Sequence, residues 1–250
     1  MRTRVVTIES GPPCSRTFGA GDAVVVVDVI RATTTAITGV ALGRRVFPAP
    51  SLAAARAVAA ELCDPLLVGE HDGARATGCT LTNSPAQLAQ RSDRRRPMVL
   101  ISSSGTPLLH EVRHAGAVFL ACLRNARATA RALAARHDRI TLIGAATHGA
   151  FREEDQLCCA RIAESLLTAG FTVGDEQTRA VVDRWSGAPP EALLTSASVA
   201  YLRATDQLAD LEFILRHVDD LSTAFALARG EVVVLPTVAP HTQLAVRGGH

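Results

Sequence analysis

The segment from Val24 to Thr35 constrains the fold most strongly in this chain, because it reads VVVVDVIRATTT. Four consecutive valines are typical of a strand buried on both faces, as in a parallel sheet covered by helices. Asp28 follows directly and is expected at the carboxyl end of that strand, where open α/β sheets build their binding sites. A carboxylate beside Arg31 and a threonine-rich turn suits a cation and an anion together. A plain helix cap by Asp28 or Thr33 explains the same residues equally well.

Apolar strand-like segments alternate with helical segments, joined by short connections, up to about residue 170. This alternation predicts an α/β fold with three α/β/α layers and a sheet that is mostly parallel or mixed. Residues 175–228 are predicted to be mostly helical, and 231–235 to form a last strand. Without a repeat or a linker, we expect one domain over residues 1–236, followed by a C-terminal tail, 237–250.

The charge composition narrows the chemistry, because all 26 basic residues are arginines in a chain of net charge +2. The absence of lysine excludes a phosphate-loop lysine and a Schiff-base lysine, so an anion must be held by arginine, hydroxyl or backbone N–H groups. Near-neutral charge predicts no nucleic acid polymer as a partner. We expect no membrane partner and a cytoplasmic location, since the chain lacks an apolar run of about 20 residues and a secretory pattern. Six cysteines without paired spacing are interpreted as reduced and mostly buried.

Polar residues follow four of the predicted strands, at Asp28, at Glu70, at 102–106 and at 144–155. The carboxyl ends of parallel strands share one edge of a sheet, so we hypothesise that these groups converge. The serine-rich turn before a helix suits an anion, although a simple cap is its other interpretation. His148 follows a strand and could relay a proton, but a loop histidine is the more ordinary explanation.

Glu70 and Asp155 are the natural companions of Asp28, since Mg²⁺ prefers carboxylate, water and phosphate oxygens. Glu153 and Glu154 are interpreted as first-turn residues that the helix dipole favours. Familiar phosphatase motifs are missing: no second aspartate follows Asp28 by two positions, and the thiolate Cys-x₅-Arg spacing is not met.

Taken together, the motifs resemble the 2-phosphosulfolactate phosphatase family, whose members are magnesium-dependent. The resemblance covers about residues 20–170. The matching segments are 27–35, Gly69-Glu70-His71, Thr82-Asn83-Ser84-Pro85, Ser102-Ser103-Ser104-Gly105-Thr106, Leu123-Arg124-Asn125-Ala126 and 149–155.

The resemblance implies a phosphatase that uses Mg²⁺ to hydrolyse the phosphate ester of a small anionic metabolite. Asp28, Glu70 and Asp155 would be the metal ligands and, with Arg31, the catalytic residues. The residues implied in substrate binding are Arg31, Thr33, Thr34, Asn83, Ser84, Ser103, Ser104, Gly105, Thr106 and Asn125.

Two alternatives stay open. His71 and Ser104 replace an arginine and an asparagine that are usual in the family, which favours a nucleotide or sugar phosphate as substrate. A non-catalytic anion-binding protein is the second alternative. The apolar residues of the predicted helical segment 190–228 also provide enough surface for a homodimer.

Overall fold

The computed structural model describes residues 3–11, 18–146 and 149–236. The strands are β1 (Val5–Ser10), β2 (Asp22–Val27), β3 (Val46–Ala49), β4 (Leu66–His71), β5 (Ala74–Arg75), β6 (Met98–Ile101), β7 (Ala117–Ala121), β8 (Arg139–Gly144), β9 (Thr172–Val173), β10 (Ala224–Ala228) and β11 (Glu231–Leu235). The α-helices are α1 (Ala32–Ala41), α2 (Leu52–Ala60), α3 (Pro85–Ala89), α4 (Gly105–Glu111), α5 (Ala126–Ala134), α6 (Glu153–Thr168), α7 (Glu176–Trp185), α8 (Ala197–Ala204) and α9 (Leu208–Arg216). Short 3₁₀ turns cover Val112–His114 and Pro190–Thr195. His148 and the predicted tail lie outside the described residues.

The valine run forms β2, and every residue of this strand is buried. Val25 and Val27 pack into a core cluster with residues of α5 and α6, while Val24 and Val26 face a second cluster with residues of α1 and α4. Side chains alternate between the two faces of a strand, so a strand between two helical layers needs apolar residues at every position. The predicted α/β fold with a mostly parallel, mixed sheet is therefore confirmed.

The strands form one sheet in the order β5-β4-β6-β3-β11-β10-β7-β2-β8-β1-β9. Two blocks within it are parallel: a small block of β4, β6 and β3, and a large block of β7, β2, β8, β1 and β9. The β10–β11 hairpin joins them through three antiparallel pairings, so the two blocks run in opposite directions. The prediction of helix through residue 228 is wrong at β10, whose Phe225 and Ala226 instead pair with β7.

We expected the polar strand ends to converge because they share one edge of a parallel sheet. This reason is wrong, because the two blocks run in opposite directions. The ends meet by another route. Helix α4 leaves the small block and packs on β2 of the large block, while α1 leaves the large block and packs on β3 and β6 of the small block. These crossing helices bring the ends of β2, β4 and β6 to one place.

Three further expectations concern the surface and the thiols. Cys79, Cys122, Cys158 and Cys159 are buried and free, as expected, whereas Cys63 is exposed. None of the described helices is long and apolar enough to cross a bilayer.

Dimerisation stays a prediction. Part of the apolar surface on which it rests is internal, because Leu211 and Ile214 of α9 are buried in the core of the same chain.

Candidate active site at the ends of β2, β4 and β6

Asp28 lies immediately after β2, with its backbone fixed by the first residues of α1. Its N–H donates to the Thr33 hydroxyl at 3.0 Å, and its carbonyl accepts from the Thr33 N–H at 3.0 Å. Carboxylate Oδ1 accepts from the Ala32 N–H, also at 3.0 Å. Asp28 also lines the large cavity described below. One carboxylate oxygen therefore anchors the turn, while the residue faces open space.

The environment of Asp28 favours the protonated carboxyl and raises its pKa from 3.8 to about 7. Burial contributes most, and the nearby carboxylates of Glu70 and Glu154 add to it. The Ala32 N–H and the Arg31 guanidinium act in the opposite direction. A carboxyl that titrates near neutral pH inside a cavity is a strong candidate for a functional group.

Glu70 is the penultimate residue of β4, and it fixes the serine-rich turn that follows β6. Its Oε1 accepts from the Ser103 N–H at 2.6 Å, and its Oε2 accepts from the Ser103 hydroxyl at 3.0 Å. Oε2 also accepts from the Gly73 N–H at 2.7 Å. Both oxygens of Glu70 are thus engaged by the protein, which makes this residue a brace between two loops.

The turn 102–106 is held together internally at its two ends. The Ser102 N–H donates to the Thr106 hydroxyl, and the Thr106 N–H donates to the Ser102 hydroxyl, both at 2.9 Å. Ser103 and Ser104 line the cavity. Gly105 begins α4 so close to Asp28 that a Cβ atom would collide with Oδ2 of that carboxylate. The close approach explains why glycine stands there.

Arg31 is buried and is held from the C-terminal part of the chain. Its Nη1 donates to Asp210 Oδ2 and to Gln207 Oε1, each at 2.5 Å. Asp210 Oδ1 accepts in turn from the Ser84 hydroxyl and from the Ala86 N–H. Ser84 also caps α3, accepting from the Gln87 N–H at 3.1 Å. Ser84 therefore acts here through Asp210, and it does not line the cavity.

A cavity of about 1060 Å³ joins these groups. Of the predicted site residues, it is lined by Asp28, Arg31, Glu70, Asn83, Ser103 and Ser104. Asn83 is buried, and its Oδ1 has no hydrogen-bond partner. A buried amide oxygen without a partner carries an energetic cost, which a ligand could remove.

Besides Ser84 and Thr106, three predicted substrate-binding residues have side chains that are hydrogen-bonded within the protein and do not line this cavity. The Thr33 hydroxyl lies 2.7 Å from the carbonyls of Asp28 and Ala121, and the Thr34 hydroxyl donates to the Val29 carbonyl at 2.7 Å. The side-chain groups of Asn125 pair with the Cys122 N–H, the Leu120 carbonyl and the Thr129 hydroxyl. Thr33 and Thr34 therefore support the loop that carries Asp28, and Asn125 supports the loop after β7.

Asp155 lies behind Asp28 and does not line the cavity. Its Oδ1 accepts from the Val29 N–H at 2.8 Å. Burial raises the pKa of Asp155 well above its ordinary value, and the carboxylates of Asp28 and Glu154 raise it further. Glu154 is buried too, with Oε2 unpaired, and burial raises its pKa. Glu154 is therefore part of an acidic cluster around Asp28, beyond the helix-dipole role expected from the sequence.

The three predicted metal ligands are not brought together as a chelating set. Within the described ranges, no group of three or more histidine, cysteine, aspartate or glutamate side chains is arranged to hold a metal ion. Mg²⁺, however, is commonly held by one or two carboxylates, with water and phosphate oxygens completing its octahedron. Asp28 in the cavity, with an acidic cluster behind it, fits that mode of binding.

Sequence reasoning missed Asp210 and gave no role to Arg152, which also lines the cavity. A signal for Asp210 existed: it precedes Leu211 and lies four positions before Ile214, so helical periodicity places it beside the buried stripe of α9. Ser198 and Tyr201 of α8 also line the cavity, and nothing local in their sequence indicated it.

A cavity at strand ends that bears a perturbed carboxyl and a buried arginine is the arrangement of an α/β enzyme. The family model for 2-phosphosulpholactate phosphatase matches residues 14–227. A probable 2-phosphosulfolactate phosphatase from Deinococcus radiodurans is 36% identical over 197 residues, covering 77% of this chain and 82% of the relative. Another, from Synechococcus sp. (strain CC9605), is 33% identical over 186 residues, covering 71% and 76%. The chain belongs to the 2-phosphosulfolactate phosphatase family, which confirms the resemblance; relatives in this family are named as phosphoric monoester hydrolases.

Proposed function

We propose that this protein is a Mg²⁺-dependent phosphatase that hydrolyses the phosphate ester of a small, multiply charged acid of the 2-phosphosulfolactate type. The observation that carries the proposal is the position of Asp28, in a cavity that also holds Arg31, Asn83 and the serine turn. Membership of the family supports the reaction class. The names of the relatives supply the substrate type.

The residues of the cavity divide the work as follows. Asp28 would hold Mg²⁺, which when bound supplies positive charge to the phosphoryl oxygens. Arg31, whose Nη1 is fixed by Asp210, would present its other nitrogens to the phosphoryl group. Ser104 and the Asn83 amide would add hydrogen bonds. Groups fixed before the substrate arrives stabilise developing charge without a reorganisation cost.

The acidic surroundings of Asp28 follow from the same proposal. Carboxylates that raise one another's pKa store an unfavourable interaction, which a divalent cation relieves. Without a cation, the carboxyl of Asp28 is partly protonated at neutral pH, so a proton and Mg²⁺ compete for it. Glu70 would hold the serine turn, and Asp155 would hold the Asp28 loop.

The test is phosphate release from a panel of esters, with Mg²⁺ and with EDTA. The panel contains 2-phosphosulfolactate, a sugar phosphate and a nucleoside monophosphate. We expect Mg²⁺-stimulated release from 2-phosphosulfolactate, and a loss of about 10²–10³-fold or more in Asp28→Asn. Near-normal turnover by purified, folded Asp28→Asn would exclude the metal role. Phosphate binding without hydrolysis of any ester would instead identify a non-catalytic anion-binding protein.

A larger phosphate ester is the second candidate, favoured by the cavity volume of about 1060 Å³. Binding pockets for drug-sized ligands range from about 300 to 1,000 Å³, and a three-carbon acid needs less than that. The sugar phosphate and the nucleotide in the panel decide this point. Faster turnover of either one than of 2-phosphosulfolactate would replace the first candidate.

A further inference from the structure

Arg152 differs from the other arginine that lines the cavity. Arg31 is neutralised by Asp210, with Nη1 and Oδ2 2.5 Å apart. The Arg152 carbonyl accepts from the Gln156 N–H at 3.0 Å, but its side-chain Nε is buried without a hydrogen-bond partner. Leaving a buried charged donor unpaired costs free energy, and such a group calls for an explanation. The Arg152 guanidinium thus lies at the cavity wall with a donor left unpaired, and its charge also lowers the pKa of the Glu154 and Asp155 carboxyls.

The position of Arg152 places it away from the serine turn. It is the residue that precedes α6, and this helix follows β8. In the sheet, β8 is the neighbour of β2 on one side, whereas α4 reaches β2 from the small block on the other side. Arg152 therefore reaches the cavity from the β8 side of β2, whereas Ser104 reaches it with α4 from the small block.

Ala145 and Ala146, which continue β8, line the same cavity as Asp28 and Arg152 and contribute small side chains to its wall. The carboxylates of Asp28, Glu70, Asp72 and Glu111 line the same cavity, so an anionic ligand meets repulsion from them. A second acidic group on the ligand would be stabilised where an unpaired guanidinium stands.

From these observations we infer that Arg152 binds the acidic group of the substrate that is not transferred, a carboxylate or sulfonate, and thereby selects doubly acidic esters. The inference rests on the proposed function, because it assigns the phosphoryl group to the Asp28 end of the cavity. A planar guanidinium presents paired N–H donors to such an oxyanion. Arg152 is thus a specificity residue, while Arg31 and Asp28 serve the phosphoryl group.

The experiment compares two probes that share no charged group, in the presence of Mg²⁺. Sulfolactate carries the carboxylate and the sulfonate without a phosphoryl group, and inorganic phosphate stands for the transferred group alone. Calorimetry measures their binding to the wild-type protein, Arg152→Gln, Arg152→Lys and the control Arg184→Gln. Arg184 pairs with the neighbouring Glu153 at 2.6 Å and lies outside the cavity lining.

We expect sulfolactate affinity to fall at least tenfold in Arg152→Gln, with partial recovery in Arg152→Lys, while phosphate affinity stays within twofold. Arg184→Gln should match the wild type for both probes. Weaker phosphate binding with unchanged sulfolactate binding would overturn the inference, as would equal affinities in all four proteins or wild-type protein that does not bind sulfolactate. These binding data stand apart from turnover, so absence of hydrolysis would reject the proposed function alone.

In a folded, active enzyme, the same variants separate the steps of the reaction. For 2-phosphosulfolactate, Arg152→Gln should raise KM at least tenfold with a smaller change in kcat. For an uncharged-alcohol ester such as ethyl phosphate, the kinetic constants should stay within twofold of the wild type. An equal loss on both esters would contradict the assignment, because it would place Arg152 at the phosphoryl group.

Discussion

Gly105 and Asp28 are in such close contact that a single methyl group cannot be placed between them. A Cβ atom at position 105 would collide with Asp28 Oδ2 and would lie 2.7 Å from the Ala32 Cβ. The first residue of α4 therefore touches the loop after β2, which joins the small block to the large block at the candidate active site.

Gly105→Ala should abolish most of the phosphatase activity, by about 10²-fold or more, because either Asp28 or α4 must move. Displacements of about 1 Å can have effects of this size on catalysis. Steady-state kinetics on purified protein measures it. Gly21→Ala is the matched control, since a Cβ atom there meets nothing within 4 Å. Full activity in Gly105→Ala would mean that the contact has no role in positioning Asp28.

Asp28 should make the metal-free protein less stable as pH rises. Its folded-state pKa of about 7 lies above the ordinary value of 3.8. The protonated form is thus favoured by folding, so this contribution is fully present below about pH 4 and is lost as pH rises through 7. Urea unfolding with EDTA at pH 5 and pH 8 measures the change. Asp28→Asn should reduce the dependence of the unfolding free energy on pH. An equal dependence in both proteins would show that another group causes it.

The affinity for Mg²⁺ should increase with pH up to about 7 and then level off. A proton on the Asp28 carboxyl blocks the cation, so below pH 7 the affinity should fall by about tenfold per pH unit. Titration calorimetry between pH 5.5 and 8.5 tests this directly. A pH-independent affinity would show that Mg²⁺ does not replace a proton in this cluster.

Asp210 should matter for folding as much as for catalysis, because it pairs with Arg31 where both side chains are almost completely buried. Removing one partner of a buried ion pair leaves the other charge uncompensated and typically costs about 3–5 kcal/mol. Asp210→Ala should lower the free energy of unfolding by that amount in denaturant titrations. Glu212→Gln, on the exposed face of the same helix, should change it by no more than about 0.5 kcal/mol. A loss of the same size in the control would point to α9 as a whole.

Thr33 should behave as a support of the Asp28 loop, and Asn125 as a support of the loop after β7. Their polar groups pair with backbone groups and with Thr129 inside the protein. Thr33→Val and Asn125→Ala should each cost about 1–3 kcal/mol of stability, because buried partners lose their hydrogen bonds. Thermal unfolding measures the loss, and the KM of the folded variants should stay close to the wild-type value. A large rise in KM without destabilisation would instead show that Thr33 or Asn125 contacts the substrate.

Secondary structure was predicted correctly in segments where the local sequence pattern and the burial of the residues agree. The valine run placed β2 and Asp28, and Pro85 after Ser84 located the start of α3. Of the β10–β11 hairpin, β11 was predicted as a strand but β10 was predicted as helix. The β10 sequence AFALA has no alternation of polar and apolar residues that would distinguish a strand from a buried helix. Pairing of β10 with β7 depends on partners about 105 positions away in the chain.

The candidate site was predicted in outline, but the division between ligand-facing and supporting residues was not. Asp28, Arg31 and Ser104 line the cavity, whereas Thr33 and Asn125 turn to backbone carbonyls. Polar residues of similar type thus occur both at the cavity wall and in supporting positions, so residue type alone does not separate the two roles. A hydroxyl or amide is directed by the nearest unpaired group, and that group belongs to segments distant in sequence.

The hairpin that joins the two blocks has a consequence for synthesis in the cell. Asp210, which holds Arg31, and the strands that link the halves all come from the last part of the described chain. A nascent polypeptide still tethered to the ribosome through these segments lacks both the brace and the bridge. Catalytic competence should therefore arise only after these segments have been synthesised, and fragments that end before Asp210 should be inert.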